Sequence, residues 1–419
     1  MLEKSLNLLK KIKRKFFPFY KDKELKFVFR KLQEGFPSDK VTSRFVGGCV
    51  RKYLKNEKID DIDVATILNS DEIKKRFNNT KFKVIDTGIK HGTVTLVSKK
   101  YKLEITTLRK DVETDGRHAE VEFIDDWKID SERRDFTINA IYLDINGKIF
   151  DPQMGVGDLK NNNIKFIGDP QKRIEEDYLR IIRFIRFKIM YDSQVEVTTN
   201  NTIKQNLIGI KKISKERILV ELYKILALKN FINLNEIVYL KEIFSLIFPE
   251  FENLSRLSRL KKILSFTEIN LKLLLIVLLI DKDNNHEYFS HKYNVSNEIQ
   301  EELNLLAKNF KLLKNDKDFF NKDLEKRIYL NDKSHLINLN ILNFTSNPKI
   351  SLNFFSETLS KILKSKTHEF HIDGKFLMEK GMREGALLGK VLKKIEEEWI
   401  DNNLKMSNDR VQEIIKLNS

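Results

Sequence analysis

Two glycines and two aspartates in the stretch RFVGGCVRKYLKNEKIDDIDVATI, residues 44 to 67, are the residues whose types and spacing could do chemistry. Gly47 and Gly48 separate an apolar run ending at Val46 from a helical run over Cys49 to Leu54. Glycines there let the backbone turn tightly and bring bare amides close to a ligand, while the helix behind them points its positive dipole end the same way, which favours phosphate. Asp61 and Asp63 are two apart on a second strand-like run, so strand alternation puts both carboxylates on one face and Ile62 and Val64 on the other. A phosphate cradle beside paired carboxylates is what metal-assisted chemistry on a nucleoside triphosphate needs.

Further polar groups recur along the chain. Glu104 shares a strand face with Thr106 and could reach back towards Asp61 and Asp63. Arg133, Arg134, Asp135 and Asn139 form a polar set within DSERRDFTINAI, which from Asp130 has a capping pattern and reads as a helix. Taken alone, the set equally suits a solvated face with an intrahelical ion pair. Asp177, Arg180, Arg183 and Arg186 recur every three residues in RIEEDYLRIIRFIRFKIM, a helical run with an apolar stripe of Ile174, Tyr178, Ile181, Ile182, Ile185 and Ile189.

The elements that must hold these groups read as follows. A helix over 24 to 35 feeds the glycine strand, and SDEIKKRF starts on a Ser cap with an acidic first turn. FKVIDTG, HGTVTLVS and YKLEITTLR are alternating or β-branched runs that make a small sheet. RKDVETDGRHAEV, 109 to 121, is charged and broken by Asp115-Gly116, and reads as a flexible surface loop in which His118 stands alone. IYLDINGKIFDP is a hairpin turning at Asn146-Gly147, and MGVGDLKNN starts a short helix. Beyond about 230 the chain is helical repeats of Leu, Ile, Phe and Lys, closing on the amphipathic MREGALLGKVLKKIEEEWI.

Length and charge set the outer bounds. A chain of 419 residues accommodates two to four domains. Lys and Arg number 77 against 61 Asp and Glu, a formal charge of +16 that permits a polyanionic partner. The same charge also follows from a composition rich in Lys, Asn and Ile. With Cys49 the one cysteine, no disulfide framework exists and a reducing compartment is expected, Cys49 itself reading as a small packed residue. LKLLLIVLLI is too short to span a bilayer and reads as a buried helix. The basic, amphipathic MLEKSLNLLKKIKRKFFPFY could touch membrane, act as a targeting segment or extend the fold; a helix on the domain or on RNA is the favoured reading.

Over residues 40 to 225 the chain resembles the bacterial-type (class II) CCA-adding enzymes and their poly(A) polymerase relatives. Their Gly-Gly-x-Val-Arg-Asp followed by Asp-x-Asp is matched by Gly47 to Asp63, with Lys52 in place of the usual Asp. Arg-Arg-Asp with Phe-Thr-x-Asn-Ala is matched from Arg133 to Ala140, and Glu-Asp-x-x-Arg-x-x-Arg from Glu176 to Arg183. SKERILVEL from Ser214 resembles the last shared motif, a structural helix. The resemblance implies two Mg²⁺ on Asp61 and Asp63, with Glu104 as general base or third metal carboxylate. It implies nucleotide binding by Gly47, Gly48, Arg51, Arg134, Asp135, Asn139, Asp177, Arg180, Arg183 and Arg186. Phosphates fall to Gly48, Arg51 and Arg134, and triphosphate and ribose to the arginine and asparagine of the Arg-Arg-Asp motif. The charged loop implies the switch to adding the final A. The Asp–Arg pair reads the base: cytosine and adenine both carry an amino group beside a ring acceptor, where uracil and guanine put a carbonyl, so an acceptor–donor pair admits C and A.

The expected fold is α+β: a basic extension over 1–24, a nucleotidyltransferase head with a small mixed or antiparallel sheet over 25–167, a helical neck over 168–230, and a helical body and tail over 231–419 that bind tRNA. The expected function is addition of C, C and A to tRNA 3′ ends from CTP and ATP, in the cytoplasm and without stable membrane association. The rivals are a bacterial poly(A) polymerase, whose Arg-rich segment after Asp-x-Asp has VIDTGIKHGTVTLV in its place here, and an enzyme adding only CC or only A. A catalytically silent RNA-binding protein is opposed by intact Asp61, Asp63 and Glu104, and a metal phosphohydrolase by the want of a His-Asp doublet.

Overall fold

The computed structural model describes residues 18–88, 92–114, 119–193 and 197–418. The basic segment before residue 18, and His118 with the tip of the charged loop, lie outside the described residues. The chain divides into two units, one ending at Phe231 and one starting at Ile232.

In the first unit, helix α1 (Lys23–Gln33) is capped by Asp22, which accepts the Glu24 N–H at 2.8 Å, and buries Leu25, Val28, Phe29 and Leu32. It leads into β1 (Ser43–Val46), which is followed by α2 (Gly48–Leu54), β2 (Ile62–Thr66), α3 (Ser70–Phe77), β3 (Lys83–Gly88), β4 (Thr93–Val97) and β5 (Lys102–Thr107). Asn69, not Ser70, caps α3, exchanging hydrogen bonds with Glu72 in a capping box. With the later β8 (Tyr142–Leu143) and β9 (Ile149–Phe150), these strands form a seven-stranded sheet in the order β3-β4-β5-β2-β1-β8-β9. β2 and β5 run parallel and the other neighbours antiparallel, so the sheet is mixed. Ile62 and Val64 are buried on one face of β2, and Asp63 looks out from the other, as a period of two requires.

Further local expectations are corrected. The charged segment after β5, expected as a flexible surface loop, is a strand pair on either side of its tip: β6 (Arg109–Thr114) and β7 (Ala119–Phe123) pair antiparallel, from Arg109 opposite Phe123 to Thr114 opposite Ala119. Main-chain pairing on either side of an Asp-Gly turn signal outweighs the polar composition. The helix expected from Asp130 is α4 (Trp127–Glu132); its cap is Asp126, which accepts from Lys128 and Ile129 N–H at 2.7 and 3.1 Å. It stops before the Arg-Arg-Asp motif, and Thr137–Asn139 form a 3₁₀ turn beyond a bridge between Phe136 and Phe166. Asp130 is no cap, because its carboxylate is buried against arginines.

After α5 (Gly155–Lys160), the single helix expected over 173 to 190 is two, α6 (Pro170–Glu176) and α7 (Leu179–Tyr191). Asp177 between them is extended, at φ −156° and ψ 103°. Its carboxylate accepts the Leu179 N–H at 3.1 Å, which starts α7 afresh, the competition with helical bonding that short acidic side chains offer. α8 (Val197–Asn206) and α9 (Lys215–Leu226) complete the unit. Within it, α7 packs against α9, and the rings of Phe166 and Phe184 stack at 5.5 Å.

The second unit is helical throughout its described residues, from Val238–Ile247 to Asn408–Lys416. LKLLLIVLLI forms a helix over Leu271–Leu279 with every residue from Leu273 onward buried, and among the described residues no helix is long and apolar enough to cross a membrane. The closing amphipathic segment is the helix Ala386–Asp401, whose Val391 and Ile395 meet Val411, Ile414 and Ile415 in a small core.

Candidate active site

The site is built on the turn between β1 and α2. Gly47 has φ +71° and ψ −127°, a backbone that side chains disfavour, and a Cβ there would lie 3.4 Å from Asp63 Oδ2. The turn therefore places bare backbone against the carboxylate. Beneath it Cys49 is fully buried, its thiol donating to the carbonyls of Val46 and Asp63 at 3.3 and 3.6 Å. Burial first, and then the nearby Asp63, push this thiol up to about 12, so it is an inert packed residue.

Asp61 and Asp63 both line a cavity of about 980 Å³ together with Gly47, Gly48 and Arg51. Parallel register sets Glu104 beside Asp63 on the neighbouring strand, where it is exposed and lies 3.4 Å from Lys102. It does not line the cavity. Burial, then Glu104, raise the Asp63 pKa above the ordinary value; Arg134 and Arg51 pull it down less, and Asp61 adds to the rise. Carboxylate oxygens crowded by like charge are a donor set that a hard divalent cation suits, and Mg²⁺ is commonly held by one or two carboxylates plus substrate phosphates. Among the described residues no group of three or more His, Cys, Asp or Glu stands ready to hold a metal by itself. Two carboxylates fit the part.

The remaining expected residues converge on the same cavity: Arg134, Asp135, Asn139, Asp177, Arg180, Arg183 and Arg186 all line it. Arg51 donates to the Asn139 side-chain oxygen and lies 4.8 Å over the Phe187 ring. Asn139 donates to Asp135 at 2.6 Å, and Asp135 is paired with Arg183 at 2.7 Å. Asp135 thus spends its carboxylate on protein donors. Arg186 is likewise paired with buried Glu221 at 2.7 Å.

Asp177 and Arg180 do not hold each other, contrary to what their spacing on one helix implies. The break at Asp177 gives them separate partners. Asp177 pairs with Arg217 on α9 at 2.8 Å, and Arg180 donates to Glu176 and to the Arg173 carbonyl, both at 2.6 Å. Lys52, the departure from the motif, pairs with Asp60 at 2.7 Å at the cavity edge. Counting all its lining residues, the cavity presents ten Lys and Arg against seven Asp and Glu, a surplus that favours a triphosphate.

Comparisons with known proteins place the chain in a family. A family profile described as "Poly A polymerase head domain" matches residues 43–165, and one described as "Probable RNA and SrmB- binding site of polymerase A" matches residues 194–254. The CCA-adding enzyme of Lactobacillus helveticus is 34% identical over 381 residues, 89% of this chain and 92% of that protein. This chain belongs to the CCA-adding enzyme family. Zebrafish mitochondrial CCA tRNA nucleotidyltransferase 1 is 43% identical over 212 residues, half of this chain and 49% of that protein. The fold is that of the Bacillus stearothermophilus CCA-adding enzyme solved in complex with CTP, with a TM-score of 0.69 at 22% identity, covering 94% of this chain and 96% of that one.

For a member of the CCA-adding enzyme family, the sequence reading missed several cavity residues. Arg109 and Asp111 enter from β6, Arg217 and Lys224 from α9, and Phe187 and Met190 from α7. Arg217 stands in the SKERILVEL motif, so the motif itself was the available signal. Arg109 and Asp111 were hidden by the surface-loop reading, although alternation on a strand would have placed both on one face.

Proposed function

We propose that this chain is a template-independent tRNA nucleotidyltransferase that adds C, C and A to tRNA 3′ ends, using CTP and ATP. One observation carries the reading: paired carboxylates, a glycine turn and the Asp–Arg set open on one cavity, in a chain similar over 89% of its length to a CCA-adding enzyme. The terminal ribose 3′-oxygen loses its proton and attacks the α-phosphorus. The bond from that phosphorus to the bridging oxygen breaks, and pyrophosphate leaves.

Asp61 and Asp63 would hold two Mg²⁺, which when bound supply positive charge to the attacking and leaving oxygens. Glu104, level with Asp63 in the strand register but exposed and outside the cavity lining, is assigned as general base or third metal carboxylate, a role it would reach only with the substrate bound. Gly47 and Gly48 offer backbone to the phosphates, with Arg51 and Arg134 as their cations. Asn139 orients the ribose and Asp135 secures Asn139. Asp177 accepts from the exocyclic amino group of the base while Arg180 donates to its ring acceptor. Arg183 and Arg186 hold this arrangement through Asp135 and Glu221. We assign 25–167 as the catalytic head, 168–230 as the neck and 231–419 as the tRNA-binding body and tail, acting in the cytoplasm.

The test is incubation with tRNA lacking its 3′ end and each nucleotide singly and together, followed by sizing. Two residues added with CTP alone, and three with CTP and ATP, are expected. A long A ladder would assign poly(A) polymerase activity instead, and arrest after CC or acceptance of A alone would assign a partial enzyme.

A further inference from the structure

Arg134 reaches the cavity from a buried base. The Asp130 side chain is 0% exposed, and its Oδ2 accepts from Arg134 Nε and Nη2 at 3.2 and 3.0 Å. The same oxygen accepts from the Tyr142 hydroxyl at 2.7 Å, and that hydroxyl accepts in turn from Arg134 Nε at 3.0 Å. Oδ1 accepts from Arg133 Nε at 2.8 Å and from the Arg109 backbone N–H at 3.4 Å. From the main-chain side, Arg173 donates to the carbonyls of Arg133 and Arg134, both at 2.6 Å.

We propose that Asp130, with Tyr142, is the positioning residue that fixes Arg134 on the triphosphate of the incoming nucleotide. The inference rests on the nucleotidyl-transfer reading above. Asp130 touches no substrate, since it is fully buried and does not line the cavity. Its effect passes through the two arginines that do. A long guanidinium side chain left to itself samples many rotamers; here Nε and Nη2 are both engaged, so the guanidinium plane is set before any ligand arrives. One carboxylate shared by two guanidiniums also leaves a single net positive charge at this wall of the cavity. Burial alone would favour the neutral acid, but Arg134 and Arg133 hold Asp130 well below the usual carboxylate range, so the anchor stays ionised.

The test is the affinity of the full chain, with magnesium present, for CTP and for CMP, measured by equilibrium titration. The ratio of the two affinities isolates the polyphosphate contribution, whereas general loss of packing lowers both together. Arg134→Ala is expected to cut the ratio about tenfold, as loss of a hydrogen bond between charged groups does. Asp130→Asn should cut it comparably and Tyr142→Phe less, and Asp130→Asn added to Arg134→Ala should cut it no further. If Arg134→Ala loses the ratio while Asp130→Asn and Tyr142→Phe keep it, the positioning role is overturned and the nucleotide site stands. If Arg134→Ala keeps the ratio, the phosphate assignment falls and this inference with it. Should Asp130→Asn fail to fold, Tyr142→Phe, which removes one hydroxyl, decides alone: an unchanged ratio refutes the proposal.

Discussion

Replacing Arg180 with alanine is expected to weaken discrimination of CTP and ATP against UTP and GTP by roughly ten- to a hundredfold. Its side chain is buried, with Nη1 committed to Glu176 and the Arg173 carbonyl, so its plane is fixed before a base arrives. A hydrogen bond to a charged group contributes about 1.5–3 kcal/mol, and each ~1.4 kcal/mol is a factor of ten. Asp177→Ala should fall in the same range. Arg217, which also lines the cavity, pairs with Asp177, and that ion pair is 33% and 23% exposed on its two sides. A pair so exposed is worth about 0.5–1 kcal/mol, so Arg217→Ala should cost only about two- to fivefold in selectivity. The assay is kcat/KM for all four nucleotides on tRNA ending before the first C and on tRNA ending before the A. The order of effects is itself the test. If Arg180→Ala and Asp177→Ala discriminate as the parent does, base choice lies elsewhere, and if Arg217→Ala costs more than Asp177→Ala, Asp177 is not the reading group.

Asp61→Ala and Asp63→Ala should each abolish nucleotide incorporation while tRNA affinity, measured by filter binding, stays near the parent value; substantial residual addition by both would remove the carboxylates from the mechanism. Asp63→Asn should unfold at a higher temperature than the parent in EDTA at neutral pH. The folded state raises the Asp63 pKa, so the ionised group disfavours folding once pH rises through that value. The gain should vanish below the ordinary carboxylate value of about 3.9, where Asp63 is protonated folded or unfolded, and a gain that persists there would refute the linkage. Gly47→Ala should cost about 1–3 kcal/mol in denaturant melts, the range for a residue forced into a disfavoured backbone region. An alanine variant as stable and active as the parent would show that the turn relaxes freely.

Much of this site was legible from residue type and spacing because its parts are local. A glycine pair before a helix and two aspartates on one strand face keep their meaning whatever surrounds them, and Gly47, Gly48, Asp61 and Asp63 do line one cavity. What spacing could not show was pairing across elements. Asp177 and Arg180 looked like mutual partners because three residues on a helix are neighbours; the break at Asp177 sends one to Arg217 and the other to Glu176. Asp130 looked like a cap because helix starts favour aspartate, yet Asp126 takes that place and Asp130 turns inward to the arginines. Glu104 was legible as a neighbour of Asp63, but not its exposure, which depends on where the cavity ends.

The single cysteine beneath the glycine turn has a practical consequence. With no second thiol in the sequence, no disulfide can form or break within this chain. A thiol that is fully buried and held almost wholly un-ionised at neutral pH meets an alkylating reagent only when its surroundings part. The labelling rate of Cys49 is therefore a built-in clock for opening of the glycine turn above it, read from the unaltered protein. A ligand that grips this turn slows the clock, and each tenfold slowing, when opening is at equilibrium, reports about 1.4 kcal/mol of grip.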